Sequence, residues 1–182
     1  MVKKGSLLPT TKVLLQLLAQ AGEAGVDFYN MLYDLKYHRG WYIAGGPAYV
    51  LEMKKLQQKK YAKQALDQLK RSGYVKASYL GERLMATLTK KGRASNLLCQ
   101  LRNAPQLKQG YTVVIFDIPE TQQLARRRWR WFLRQAGFKK LQQSVWFSKL
   151  DNYLTLNDFI KKLKLQQWVN VFYGNNFSCP PD

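Results

Sequence analysis

Apolar positions in the first part of the chain recur at helical spacing. Between Thr10 and Gly22 they follow the i, i+3, i+4, i+7 pattern of an amphipathic helix, and Thr10 is available as its cap. Asp27 is placed to cap a second helix that runs to Leu35. Three glycines and a proline within residues 39–47 then predict a break, because both residue types disfavour continuation of a helix.

Two further helical stripes begin near Ala48, with a turn near Gln57–Lys60 and a stop at Gly73. After the stop, apolar and polar residues follow the pattern of a β-hairpin, and a further helix is predicted after the hairpin. These last three elements are expected at Tyr74–Leu80, Leu84–Leu88 and Lys90–Leu101. Three helices followed by a two-stranded wing is the order of a winged helix-turn-helix, and the run "ALDQLKRSGYVK…LTKKG" resembles winged-helix transcription factors.

Residues 103–110 contain proline, glycine and amides without periodicity, which is typical of a linker. The pattern after the linker predicts a strand, a helix, one or two strands, a helix and a strand, at Tyr111–Ile118, Glu120–Gly137, Lys139–Leu150, Leu154–Leu163 and Gln167–Tyr173. This order fits a small βαββαβ sheet with helices on one face. The sequence therefore predicts an α+β chain: a winged helix over 1–102 and a ferredoxin-like domain over 111–182.

Charge narrows the choice of partner. The formal net charge is +19, with 19 basic and 6 acidic residues up to residue 110 and 11 basic and 5 acidic after it. Such a surplus attracts a polyanion, and nucleic acid is the commonest one. No window approaches the ~20 apolar residues of a membrane-spanning helix. Cys99 and Cys179 do not form a disulfide framework, so a cytoplasmic protein is expected, and the single His38 disfavours zinc or Ser-His chemistry.

Two helices carry the candidate DNA-binding residues. On the helix before Gly73, the basic and amide side chains lie opposite the apolar stripe, where a DNA groove would be met. On the helix after Pro119, three arginines recur every four residues with Arg127 beside them, and guanidinium groups suit phosphate oxygens. A solvated helix face or pairing across a dimer would also explain these charges. The candidates are Lys59, Lys60, Lys63, Gln64, Arg71, Lys76, Arg83, Arg126, Arg127, Arg130 and Arg134.

Asp117 is the one acid in the apolar strand "YTVVIFDI", at or near its carboxyl end. It is placed to accept N–H groups at the start of the arginine helix or to pair with an arginine across a dimer. The alternative is catalytic: Asp117 from two subunits would hold one Mg²⁺ and activate water. We expect no metal and no enzymatic activity.

The run "YTVVIFDIPETQQLARRRWRWFLRQAGFKKLQQSVWFSKL" resembles the middle domain of the PaaX-type repressors of phenylacetate degradation. That domain is similar to the ferredoxin-like nuclease of CRISPR adaptation, which has an aspartate at the end of its first strand and a run similar to Gln142, Ser144, Val145, Trp146 and Phe147. The repressors usually continue into a further helical domain. We expect no such domain here, so sensing of an acyl-CoA inducer is not carried over.

The resemblance and the charge lead to three hypotheses. The first is a homodimeric repressor that binds double-stranded DNA at a palindromic operator. The second is the Mg²⁺-dependent endonuclease. The third is an architectural subunit of a CRISPR integration complex. Dimerisation is expected through aromatic and branched surface at Trp146, Phe147, Val171 and Phe172.

Overall fold

The computed structural model describes residues 7–20, 22, 24–37 and 46–175, and these divide into two compact units, 1–96 and 97–182. The first unit is built mainly from helices with a small sheet. Its elements are α1 (Pro9–Gln20), β1 (Val26–Asp27), α2 (Phe28–Tyr37), α3 (Gly46–Leu56), α4 (Lys59–Arg71), β2 (Val75–Leu80) and β3 (Arg83–Leu88). The break expected at 39–47 lies mostly outside the described residues.

The helices of the first unit form where the apolar periodicity predicts them. Asp27 caps α2 as expected, because its Oδ1 accepts the backbone N–H groups of Tyr29 and Asn30 at 3.1 and 3.3 Å. The tight turn between α3 and α4 and the end of α4 before Gly73, which has a φ of 70°, also agree with the sequence prediction. The apolar faces of these helices meet in one core that includes Leu14, Leu17, Phe28, Met53 and Leu69.

β1, β3 and β2 form a three-stranded antiparallel sheet in that order within the described residues. The β2–β3 hairpin is the wing. Leu80 pairs with Arg83 across a two-residue turn, and Gly81 at the first turn position has a φ of 59°, as a tight hairpin turn of this length requires. The first unit is therefore a winged helix-turn-helix with its sheet in the expected place.

The second unit contains a four-stranded antiparallel sheet, described over residues 97–175 and ordered β5-β6-β4-β7. Its elements are β4 (Tyr111–Phe116), a 3-10 turn (Glu120–Gln122), α6 (Gln123–Gln135), β5 (Lys139–Lys140), β6 (Val145–Ser148), α7 (Tyr153–Lys162) and β7 (Val169–Gly174). This is the βαββαβ order and the strand arrangement of a ferredoxin-like domain. The two helices pack their apolar side chains against central-strand residues such as Val114 and Trp146.

The division between the units falls within a helix. Helix α5 (Lys90–Arg102) continues through residue 96, and its later residues Leu97, Leu98 and Leu101 pack in the core of the second unit. Part of the segment expected as a linker is also held in this unit. Leu107 N–H donates to Lys149 O at 2.8 Å, and Asp151 N–H donates to Pro105 O at 2.7 Å. Lack of periodicity does not distinguish a free linker from an irregular segment that is hydrogen-bonded to a sheet.

One carboxylate connects two helices of the first unit through hydrogen bonds. Glu52 on α3 accepts hydrogen bonds from Lys55 Nζ at 2.7 Å and from the Thr10 hydroxyl on α1. These bonds, that from Lys55 first, hold the pKa of Glu52 below its ordinary value. Among the described residues, no helix has both the length and the apolar character needed to cross a bilayer.

Candidate nucleic-acid interface

Helix α4 presents two chemically different faces. Its buried side is built from Ala62, Ala65, Leu66 and Leu69. Small alanines let the helix approach its own core closely, so the long side chains are left on the solvent side. Lys59, Lys60, Lys63, Gln64 and Arg71 are all exposed, as the sequence predicts.

The exposed charges of α4 are not neutralised by the unit that carries them. Lys60, Lys63 and Gln64 make no hydrogen bond or ion pair within the described residues, while Asp67 is half-buried. In the last turn of α4, Gln68 accepts a hydrogen bond from Thr11 of α1, and Arg71 Nε donates to Asp67 O at 3.4 Å. The first half of this helix face is therefore cationic and open, while the last turn is held by hydrogen bonds.

The wing adds a second cationic element. Lys76 and Arg83 are exposed, and Arg83 approaches Asp27 only at 4.0 Å with its side chain 72% exposed. Next to them, Tyr79 and Leu80 are each 70% exposed at the tip of the hairpin. Tyr79 and Leu80 were not among the binding residues predicted from the sequence, although apolar side chains next to a two-residue turn can indicate an exposed hairpin tip.

On α6 the four predicted arginines are not equivalent. Arg126 Nη1 donates to Glu120 Oε1 at 3.3 Å, with only 22% of its side chain exposed. Arg130 Nε donates to Gln143 O at 3.2 Å, and its guanidinium lies 5.8 Å from the centre of the Phe116 ring. Two of the arginines thus help to hold α6 on its own unit.

The remaining arginines of α6 are available to a partner. Arg127, Arg128 and Arg134 are exposed, and their side chains make no hydrogen bond or ion pair in the described part of the chain. Arg128 was not among the residues predicted from the sequence. On the same helix, Trp131 is 57% exposed and Leu124 is 59% exposed. A groove of about 680 Å³ runs along this helix and is lined by both apolar residues.

Asp117 follows the last residue of β4 and is exposed to solvent. Its backbone N–H donates to Trp168 O at 2.8 Å, but its carboxylate caps neither the 3-10 turn nor α6, whose capping positions are Pro119 and Gln122. The expectation that Asp117 caps the arginine helix is therefore wrong, because Pro119 separates the strand end from the first helical N–H groups. Within the described residues, no three acidic, cysteine or histidine side chains are grouped as a metal site would require.

Three of the four residues expected to form dimer surface are buried. Trp146 belongs to the core beneath the helices, and Val171 packs with it. Phe147 is 4% exposed and makes an edge contact with the Tyr111 ring at 5.5 Å between ring centres. Only Phe172, which is 39% exposed, remains as apolar surface. The prediction of exposure was wrong for the other three, because the core takes up Trp146 and Val171 and the Tyr111 ring packs on Phe147.

The fold and these surfaces define a class: an α+β protein in which a winged helix precedes a ferredoxin-like domain, each with a cationic helix. Residues 105–181 match the family model described as the PaaX protein central Cas2-like domain, so the second unit is similar to that domain. Proteins of this family are generally transcriptional regulators rather than enzymes. No curated protein matches the chain.

Proposed function

We propose that this protein is a DNA-binding transcriptional regulator that reads double-stranded DNA with α4 and contacts the phosphate backbone with its wing. The observation that carries the proposal is the open cationic face of α4, where Lys60, Lys63 and Gln64 have no partner within the described residues. A helix with alanines inward and basic or amide groups outward suits the width and the acceptor-rich floor of the major groove.

The wing has the complementary role in this proposal. Lys76 and Arg83 lie on a narrow antiparallel ribbon, and cationic side chains of this kind contact phosphates without reading sequence. Arg127 and Arg134 on α6 add guanidiniums for further phosphate contacts. Arg126 and Arg130 have a smaller part, since both are engaged by groups of their own unit.

The decisive experiment compares specific with non-specific binding in the full chain. Fragments of the source genome selected by the purified protein provide the specific site, and the double variant Lys63→Ala, Gln64→Ala is tested on it. We expect a loss of about 1–3 kcal/mol for each base-contacting side chain, and a smaller loss on unrelated DNA. The matched control is Lys162→Ala, Gln166→Ala, which removes the same exposed residue types from the second unit. Equal losses on both DNAs would contradict the proposed reading helix.

We further propose a homodimeric repressor on a palindromic operator, since two copies would present two α4 helices to two half-sites. Sedimentation of the full chain at micromolar concentration tests the dimer, and a symmetric selected site tests the palindrome. A monomer that binds an asymmetric site would restrict the proposal to a regulator that acts as one copy.

The alternative of a Mg²⁺-dependent nuclease rests on Asp117 alone. Its exposed carboxylate at the end of the central strand is accessible to a substrate. The variant Asp117→Asn keeps the size of this side chain but removes the negative charge that would bind Mg²⁺. We expect purified wild-type protein to leave DNA and RNA intact in Mg²⁺. Cleavage that disappears in Asp117→Asn would establish the alternative.

A further inference from the structure

The outer face of α6 has an apolar component that phosphate binding does not use. Trp129 and Trp146 are nearly completely buried in the second unit, whereas Trp131 has 57% of its surface in water. Leu124, two helical turns earlier on the same helix, is 59% exposed. An indole and a leucine that are exposed on the same helix are costly to hydrate, and arginine–phosphate contacts alone do not require them.

The cationic groups are placed on both sides of this indole. Arg127 and Arg134 are one turn before and one turn after Trp131, so they are about 10 Å apart along the helix axis with the ring between them. Both are exposed, and both line the groove with Trp131 and Leu124. A ligand that fits this face must offer a flat apolar surface with a negative charge on each side.

We propose that this face of α6, formed by Leu124, Arg127, Trp131 and Arg134, binds an unpaired stretch of nucleic acid. A base stacks on the indole of Trp131, and the guanidiniums of Arg127 and Arg134 hold the phosphates that flank it. Stacking requires an accessible base face. The bases of a continuous duplex hide their faces against one another, so the site selects single strands, overhangs or opened base pairs.

Charge decides between the possible occupants. A second copy of this chain carries the same net charge of +19, and a two-fold dimer through this face would bring two arginine helices together, where like charges repel. A polynucleotide supplies aromatic rings and negative charges at a regular spacing, which is the combination that this face presents in complementary form. This inference rests on the proposed function in one respect, since both take nucleic acid as the partner. It concerns a helix of the second unit and does not involve α4.

The test uses the full chain and an unlabelled twelve-nucleotide oligothymidine, with the oligouridine of equal length as a second arm and a blunt duplex as the comparison. Binding is followed by quenching of tryptophan fluorescence and by competition against a labelled oligonucleotide. Trp131→Ala is expected to weaken binding of the single strand about 10-fold, since stacking of one base contributes on the order of 1–3 kcal/mol. Trp131→Phe, which keeps an aromatic face, should retain most of the affinity.

Two controls make the result specific. Leu154→Ala removes a leucine that is 71% exposed on α7, and it should leave binding of the single strand unchanged. The blunt duplex should bind Trp131→Ala as well as it binds the wild-type protein. A preference for one of the two oligonucleotide arms identifies DNA or RNA as the natural strand.

The proposal is overturned if Trp131→Ala leaves the affinity for the single strand unchanged, in which case the exposed pair belongs to a contact with another protein. It is also overturned if the same variant weakens the blunt duplex equally. Lys63→Ala, Gln64→Ala separates this site from the proposed function: it should reduce binding to the selected duplex but not to the single strand. If that double variant binds the selected duplex as tightly as wild type, the result would count against α4 but would not affect the single-strand site on α6.

Discussion

Helices α4 and α6 are both amphipathic and strongly basic, but they hold their charges in different ways. The buried side of α4 is made of small and aliphatic residues. On its exposed side, the ammonium groups of Lys60 and Lys63 have no partner within the described residues. The buried side of α6 is made of large residues such as Trp129 and Leu133. Two of its arginines are hydrogen-bonded to Glu120 and Gln143, and its free arginines flank an exposed tryptophan.

The difference shows that a count of basic residues on a helix does not predict what that helix binds. In α4 the charges form the outermost layer of a helix that can enter a groove. In α6 part of the charge stabilises the fold, and the rest surrounds an apolar ring. We therefore propose duplex reading for α4 and contact with phosphates and unpaired bases for α6. Three predictions on folding stability test how the two helices hold their side chains, and a fourth concerns α3 of the first unit.

The largest effect is expected when the anchor of α6 is removed. The Trp129 ring stacks on Phe132 and Phe159, with ring centres 5.3 and 6.4 Å away, and it is 5% exposed. Trp129→Ala should lower the free energy of unfolding by about 3–5 kcal/mol, because the deletion leaves a large cavity. Urea unfolding followed by circular dichroism measures the loss. The control Trp131→Ala should change stability by less than about 0.5 kcal/mol, and equal losses would refute the assignment of the two rings.

The next prediction concerns the close approach of α4 to its core. Ala62 is completely buried, so Ala62→Leu must force extra volume into a packed site. We expect a loss of about 1–3 kcal/mol in the free energy of unfolding, measured in the same way. Ala94→Leu on α5 is the matched control, since Ala94 is exposed. If Ala62→Leu is as stable as wild type, the small inward residues are not what sets the position of α4.

A smaller effect separates the engaged from the free arginines of α6. Arg130→Lys removes the Nε–H group that donates to Gln143 O, and it should cost about 0.5–1.5 kcal/mol of folding stability. Arg128→Lys, on the same helix but exposed and without a partner in the described part of the chain, should cost almost nothing. Thermal unfolding of both variants tests the contrast. Identical melting temperatures would mean that Arg130 is as free as its neighbour.

The smallest effect is a dependence of stability on pH. Because its hydrogen bonds lower the pKa of Glu52 in the folded chain, this carboxylate stabilises the fold above its ordinary pKa of 4.5. The contribution is lost as the pH falls through the lowered pKa. Glu52→Gln should therefore be less stable than wild type at pH 7, by no more than about 1 kcal/mol, and the difference should shrink near pH 3.

The matched control for this pH dependence is Glu120→Gln on the second unit. Glu120 is 90% exposed and bonds only to Arg126 within the described residues, so this variant shows what the loss of an exposed carboxylate does by itself. Denaturation curves of both variants at several pH values give the comparison. A constant difference between wild type and Glu52→Gln across the acid range would show that the hydrogen bonds to Glu52 do not favour its charged form.

Much of the fold follows from local patterns. The apolar period places Ala62, Leu66 and Trp129 on buried helix faces, Asp27 supplies an N-cap, and Gly73 ends α4 in the region of positive φ that glycine adopts without strain. The apolar pattern also predicts the order of strands and helices in both units, except for the two-residue strand β1, which pairs with β3 and was not predicted. These features depend on neighbours in sequence, so the sequence alone determined them.

Long-range contacts decided the rest. Sequence places Trp146 and Phe147 on opposite faces of one strand, but only the packed structure shows that both are buried, because the helices cover one and Tyr111 contacts the other. Likewise, no pattern in "ARRRWRWFLR" shows that Arg130 reaches the Gln143 carbonyl. Sequence alone determined which side chains share a face; tertiary structure decided which of them are free to bind, because partners distant in sequence compete for the same groups.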